Sequence, residues 1–139
     1  MYLLRNRPNQ KKTVLLVDDN KMMCQLTTKI LEKNFNVQPF QSAIDAIKWL
    51  SESAHKPHVV VTDITMSDMS GLEFGQYLQF NGLYSNIPLV YMSGIPESEV
   101  SSYPVSVNYS AYAQKPFCPE TLLKTIERVT SQELPAVQA

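Results

Sequence analysis

The chain has 139 residues, 44% hydrophobic and 18% charged, with 12 Lys and Arg against 13 Asp and Glu for a net charge of -1. This length predicts one domain that buries its own core without disulfide or metal staples, and this composition excludes a disordered chain. Near-neutral charge gives no electrostatic ground for nucleic acid or an anionic membrane as main partner, and no apolar run reaches the ~20 residues of a membrane span.

Residues 1–12 are polar and carry Arg5, Arg7, Lys11 and Lys12. They read as a solvated tail without the apolar stretch of a secretion signal. Thr13–Val17 is a short, continuous apolar run, the pattern of a strand buried on both faces. It ends in Asp18, Asp19 and Asn20, any of which can cap a following helix. That helix runs from Lys21 to Lys33, with Met23, Leu26 and Ile30 at helical spacing and Met22 and Leu31 beside them. Asn36–Phe40 is a weaker strand, and Pro39, which donates no ladder bond, suits a sheet edge. Ser42 caps a second helix with Ile44, Ile47 and Leu50 as its apolar stripe. Pro57 precedes a third strand, His58–Thr62. Ser70 and Gly71 open a third helix holding Leu72, Phe74 and Leu78, and Asn81 and Gly82 end it. Gly75 inside that helix costs about 1 kcal/mol relative to Ala.

Ile87–Met92 is a fourth strand with Pro88 near its start. Pro96 suits the first position of a helix that includes Glu97 and Glu99, and Pro104 stops it early. The fourth helix is therefore predicted to be short or irregular. Tyr109–Gln114 is a short fifth strand, and Pro119 begins a last helix with Leu122, Ile126 and Val129 as its buried stripe. Residues 132–139 read as a C-terminal tail or the start of a linker. Five strands alternating with five helices predict a single α/β domain over residues 13–131, a doubly wound parallel sheet with right-handed crossovers. Two cysteines, Cys24 and Cys118, are too few for a disulfide scaffold and suit a reduced, cytoplasmic compartment; each reads as a small apolar filler. Met22, Met23, Met66, Met69 and Met92 read as core filler, Trp49 as a packed helix residue, and His55 and His58 as surface histidines.

In an open parallel sheet, ligands bind beyond the carboxyl ends of the strands. The polar residues there are Asp18 and Asp19 after the first strand, Asp63 after the third, Ser93 after the fourth and Lys115 after the fifth. Three carboxylates brought together repel unless protonated or neutralised by a cation. Oxygen-only ligands suit Mg2+, which uses one or two carboxylates and keeps waters or a phosphate oxygen. Lys115 adds a positive charge and Ser93 a donor, a set matched to a phosphoryl group held near a carboxylate. A carboxylate can itself be the nucleophile and become an aspartyl phosphate. Each residue also has a plainer reading. Asp18 and Asp19 can be helix caps, Asp63 a turn residue, Ser93 a turn serine and Lys115 a solvated lysine. Asp68 reads as a loop or cap residue without chemistry. Convergence of the five on one sheet edge favours the site.

The segments around these positions resemble the response-regulator receiver family of two-component signalling. Leu16–Asn20 resembles its acidic pair, Val61–Gly71 the segment around its phosphoacceptor, Val90–Gly94 the segment with its switch hydroxyl, and Ala113–Phe117 its lysine motif. The resemblance covers about residues 13–131 and implies a flavodoxin-like sheet of strand order 2-1-3-4-5. It implies Asp63 as phosphoacceptor, with Asp19, Asp63 and the backbone carbonyl of Thr65 holding Mg2+ and Asp18 acting through a bound water. Ser93 would donate to the attached phosphoryl group and Lys115 would pair with it. Tyr112 matches the family's aromatic switch position, and both packing and switching stay open for it. Thr65 and Ile95 flank the line of water attack and would tune the lifetime of the acyl phosphate. The implied partner is a histidine kinase or a histidine phosphotransfer protein; the chain would be a signalling domain rather than an enzyme, with its output open.

The family usually has Pro after the Met at 66, where this chain has Ser67, so a looser loop is expected. Two other readings stand beside this one. A haloacid-dehalogenase-type phosphohydrolase would carry its nucleophile after the first strand and a second Asp where Thr65 stands. A receiver-like interaction module that never uses phosphate would not need Asp18, Asp19, Asp63, Ser93 and Lys115 together.

Overall fold

Strands and helices alternate along the whole computed structural model, which describes residues 11–105 and 107–131. They are β1 (Lys12–Val17), α1 (Lys21–Leu31), β2 (Phe35–Phe40), α2 (Ala43–Glu52), β3 (Val59–Asp63), α3 (Gly71–Gln79), β4 (Leu89–Ser93), α4 (Glu97–Val100), β5 (Ala111–Gln114) and α5 (Pro119–Ser131). The sheet has the order β2-β1-β3-β4-β5, and all four pairings are parallel. This is the expected flavodoxin-like order. The predicted tails at 1–12 and 132–139 lie outside the described residues, except for Lys11 and for Lys12, which opens β1.

The apolar runs bury both faces of the sheet because successive side chains point to opposite sides. Leu15, Val17, Val60, Leu89 and Tyr91 face one core, closed by Ala43, Ala46 and Leu50 of α2 and by Leu72, Phe74 and Leu78 of α3. Val14, Leu16, Val61, Val90 and Met92 face the other, closed by α1 and by Leu122, Ile126 and Val129 of α5. Each apolar side chain fully buried in these layers stabilises the fold by about 1.5–3 kcal/mol.

Two helices present a different stripe from the predicted one. In α1 the buried residues are Cys24, Thr27, Ile30 and Leu31, while Met22 is 79% exposed and Leu26 is 51% exposed. In α2 they are Ala43, Ala46 and Leu50, while Ile44 is 55% exposed. The cause is the same in both. Small residues face the sheet and let the helix axis approach it, and the larger residues next to them around the helix turn outward. The methionines divide likewise: Met92 is core, whereas Met22 is surface. Cys118 is exposed and not a filler, whereas Cys24 is buried; both are free thiols. Backbone N–H groups of Thr121 and Glu120, at the start of α5, hold the Cys118 thiol below its ordinary range.

Other expectations hold with small shifts of boundary. Pro39 sits in edge strand β2. Trp49 packs against Phe40, with ring centroids 6.1 Å apart. α4 is a single turn of four residues. Gly75 is buried where a Cβ would come within 2.3 Å of the Tyr91 hydroxyl, so the helix gives up propensity to admit that ring. His58 is exposed, yet its Nδ1 accepts the Thr13 N–H at 3.0 Å.

Candidate functional site

The carboxyl ends of β1, β3, β4 and β5 lie side by side, because their registers run Val17 to Thr62, Asp63 to Met92 and Ser93 to Gln114. The residue that ends or follows each strand therefore faces the same edge. From β1 come Asp18 and Asp19. The Asp18 N–H donates to the Phe40 carbonyl at 3.0 Å, continuing the ladder one step beyond the strand. Asn20 caps α1 by accepting the Met23 N–H, so neither aspartate is consumed as the helix cap. β3 ends in Asp63, whose Oδ1 accepts the Ile64 N–H at 2.7 Å. The Lys115–Pro116 peptide after β5 is cis, and the Lys115 N–H donates to the Ser93 carbonyl at 2.7 Å.

These placements gather four of the predicted side chains, three of them in direct contact. Lys115 Nζ donates to Asp18 Oδ2 at 3.1 Å and to Asp63 Oδ2 at 3.0 Å. One oxygen from each of Asp18, Asp19 and Asp63 lies within 4.8 Å of the other two. Asp18 is wholly buried and Asp63 nearly so. Burial pushes the Asp18 carboxyl above its ordinary range, and the Lys115 ammonium only partly offsets this. Burial would lower Lys115, but its bonds and attraction to Asp63 and Asp18 outweigh that and hold it above the usual range. Three carboxylates against one ammonium leave two negative charges, the amount a divalent cation neutralises. Hard oxygen donors, an excess of two charges and a buried carboxyl short of compensation all fit Mg2+.

Ser93 is 1% exposed, and its Oγ accepts the Ile95 N–H at 3.0 Å. The Tyr112 hydroxyl donates to the Ile95 carbonyl at 2.5 Å, so the ring is held inward. Burial raises the Tyr112 phenol, with the neighbouring Ser93 hydroxyl acting the other way. Packing and a link to Ser93 are thus combined in one side chain. Thr65 is exposed and Ile95 partly buried.

Three residues assigned no role at the site from the sequence contribute to it. The Ser67 N–H donates to Asp19 Oδ2 at 3.0 Å, a bond that proline at this position could not make. Asp68, read as a residue without chemistry, accepts the Ser42 hydroxyl at 2.6 Å across two loops. Gly71 packs so closely behind Asp63 that a Cβ there would fall 1.9 Å from the Asp63 carbonyl oxygen. The glycine at the first position of a capped helix was the available signal, since propensity alone disfavours it.

The family model described as "Response regulator receiver domain" matches residues 14–127. Among curated proteins, the chain is 27% identical over 126 residues to hybrid signal transduction histidine kinase D of Dictyostelium discoideum, spanning 90% of this chain and 8% of that protein. It is 26% identical over 125 residues to response regulator Rre1 of Synechocystis, spanning 87% of this chain and 52% of that one. The chain thus spans only part of the length of these relatives. Among solved structures, the chemotaxis response regulator CheY4 of Vibrio cholerae superposes with a TM-score of 0.76 at 26% identity, covering 86% of this chain and 99% of that one.

Proposed function

Because the chain belongs to the response-regulator receiver family, we propose that it is a phosphoacceptor module in which Asp63 takes a phosphoryl group from a histidine kinase or a histidine phosphotransfer protein. The observation that carries this reading is the Lys115 ammonium bridging Asp18 and Asp63 while Asp19 completes the acidic cluster. Nothing comparable is needed by a packing residue or a helix cap. The acceptor closes β3 rather than following β1, and a haloacid-dehalogenase-type enzyme keeps its nucleophile after the first strand. A phosphate-independent adaptor would have no use for a buried acid of raised pKa beside a lysine.

In the transfer, a carboxylate oxygen of Asp63 attacks phosphorus, the phosphorus–nitrogen bond of the donor histidine breaks, and the imidazole leaves with the electron pair. Asp19, Asp63 and the Thr65 carbonyl would hold Mg2+ directly and Asp18 through a water. The ion supplies neutralisation of the developing phosphoryl charge. Lys115, already 3.0 Å from Asp63, pairs with the phosphoryl oxygens once they arrive. Ser93 turns its hydroxyl to donate to them, and Tyr112, bonded two residues beyond Ser93, carries the change outward to α4 and β5. The domain is a signalling switch that assists only its own phosphorylation and dephosphorylation. A cytoplasmic location for this chain fits its two free thiols. No helix among the described residues is long and apolar enough to cross a membrane.

A small acyl phosphate or phosphoramidate donor with Mg2+ should add one phosphoryl group by intact mass, and Asp63→Asn should add none, since an amide is not a competent nucleophile. Equal labelling of that variant would move the acceptor elsewhere. The lifetime of the product should be long, because neither Thr65 nor the apolar Ile95 orients a water for in-line attack. Ile95→Glu should shorten it, and decay of the parent as fast as the variant would refute the shielding role.

A further inference from the structure

Ser67 stands where a proline would stiffen the loop between β3 and α3, yet the loop is not left free. Its first residue is fixed by the Ile64 N–H on Asp63 and by the Ile64 carbonyl, which accepts the Gly71 N–H at 2.7 Å. Between these anchors, Ser67 reaches Asp19 and Asp68 reaches α2. The Asp68 carboxylate divides its oxygens. Oδ1 accepts the Met69 N–H at 2.7 Å within the loop, while Oδ2 accepts the Ser42 hydroxyl at 2.6 Å and the Ile44 N–H at 3.4 Å. Ser42 is itself the N-cap of α2 and accepts the Asp45 N–H at 3.2 Å. One hydroxyl thus serves two elements, taking a bond from its own helix and giving one to a carboxylate 26 residues away.

We propose that Asp68 is a positioning residue for the acidic site, a clamp to Ser42 that holds the β3–α3 loop against Asp19. It does for this loop what a proline ring does by restricting φ, with the difference that the Ser67 N–H stays available to Asp19. The arrangement suits the clamp. An O–H donor to a carboxylate makes a short, charge-assisted bond. A carboxylate also sits favourably at the positive end of α2. The Ser42 bond keeps the Asp68 carboxyl below its ordinary range. Asp68 sits next to Ser67 in the chain, so a residue fixed on one side fixes the amide on the other. Thr65, expected to offer its carbonyl to the metal, lies in the same short segment.

The clamp rests on the reading that Asp18, Asp19 and Asp63 form a cation site, and the test separates the two. The isotope-labelled chain is compared with Asp68→Ala, Asp68→Asn, Ser42→Ala and Ser42→Thr, each below its own unfolding midpoint. Without metal, amide exchange at Ser67 is measured. Mg2+ alone is then titrated, following amide shifts. Both alanine variants should lose protection at Ser67 and weaken Mg2+ binding about tenfold, the low end for outer-shell partners. The double alanine variant should be no weaker than either single one. Asp68→Asn and Ser42→Thr, which keep the acceptor and the hydroxyl, should stay within about twofold of the parent on the same scale. Parental Ser67 protection in Asp68→Ala, or an asparagine variant no better than the alanine one, would overturn the clamp. A parent that binds no Mg2+ would overturn the cation reading alone, and the Ser67 exchange result would still decide the clamp.

Discussion

The two connections that flank the candidate acceptor are fastened in different ways. Between β3 and α3 the chain is tied by the Gly71 to Ile64 backbone bond, by Ser67 on Asp19, by Asp68 on Ser42, and by a capping box in which Ser70 and Glu73 satisfy each other's backbone N–H groups. Between β4 and β5, α4 is one turn long and has no side-chain cap bond. Beside its local turn bonds and the Asn108 N–H on Gln79, tyrosines tie that connection down. The Tyr109 hydroxyl donates to Glu97 at 2.7 Å, and the Tyr112 hydroxyl donates to the Ile95 carbonyl. The rings of Tyr91 and Tyr109 lie 5.5 Å apart and those of Tyr109 and Tyr112 6.1 Å apart. Under the proposed function, a site that holds a metal and a phosphoryl group would gain from fixed geometry, and a segment that reports on them would gain from low local stability. The loop joined to Asp19 and α2 suits the first task, and the short uncapped helix packed on aromatic rings suits the second.

The largest effect should come from breaking the rigid side at its tightest point. Gly71→Ala would force a Cβ to within 1.9 Å of the Asp63 carbonyl, where only backbone can yield. We expect it to destabilise the fold by at least about 3 kcal/mol. Gly94→Ala, on the other connection with nothing within 4 Å of the added carbon, should change stability by under about 0.5 kcal/mol. Denaturant unfolding of the pair checks this. Similar losses in both would erase the contrast between the two connections.

A smaller effect should come from the aromatic side. Tyr112→Phe removes the bond to Ile95 and should cost about 1 kcal/mol. Its amide shifts should be confined to residues 93–100 and 109–114, with Asp19 and Ser67 unmoved. Shifts that spread into the β3–α3 loop would mean that the two connections are not independent.

The smallest effect concerns the opposite edge of the sheet, where the neutral His58 ring accepts the Thr13 N–H. Although the residue is exposed, partial desolvation of the ring, and then the nearby Lys12 charge, lower its pKa. A depressed histidine contributes stability that is present above its ordinary pKa of about 6.5 and is lost as pH falls through the folded value. The parent should therefore lose slightly more stability than His58→Gln between about pH 7 and about pH 5. An identical pH slope in the two proteins would remove His58 from the account.

Much of this was legible in the sequence. Uninterrupted apolar runs such as Leu15–Val17 and Val59–Val61 mark strands buried on both faces, and the polar residue after each run marks the working edge. The faces of α1 and α2 were not legible. Periodicity weighs Leu26 and Ile44 by size, whereas the sheet accepts Thr27 and Ala46 because they let the helix come close. Asp68 on Ser42 and Ser67 on Asp19 were hidden for another reason, since each joins segments more than 20 residues apart and nothing local names the distant partner. Tyr112 could be placed by its distance from Lys115, but its bond to Ile95 depends on how far β5 slides along β4.

The account turns on Asp63 carrying the phosphoryl group. Borohydride reduces an acyl phosphate to the alcohol, so it converts a phosphorylated aspartate into homoserine and leaves a free aspartate untouched. The chain is treated with a small phosphodonor and Mg2+, reduced, digested and mapped by mass spectrometry. The account predicts homoserine at position 63 and at no other aspartate, and no conversion when the phosphodonor is omitted. Homoserine at position 18, 19 or 68, or an unreduced chain that nonetheless bears a phosphoryl group, would contradict it.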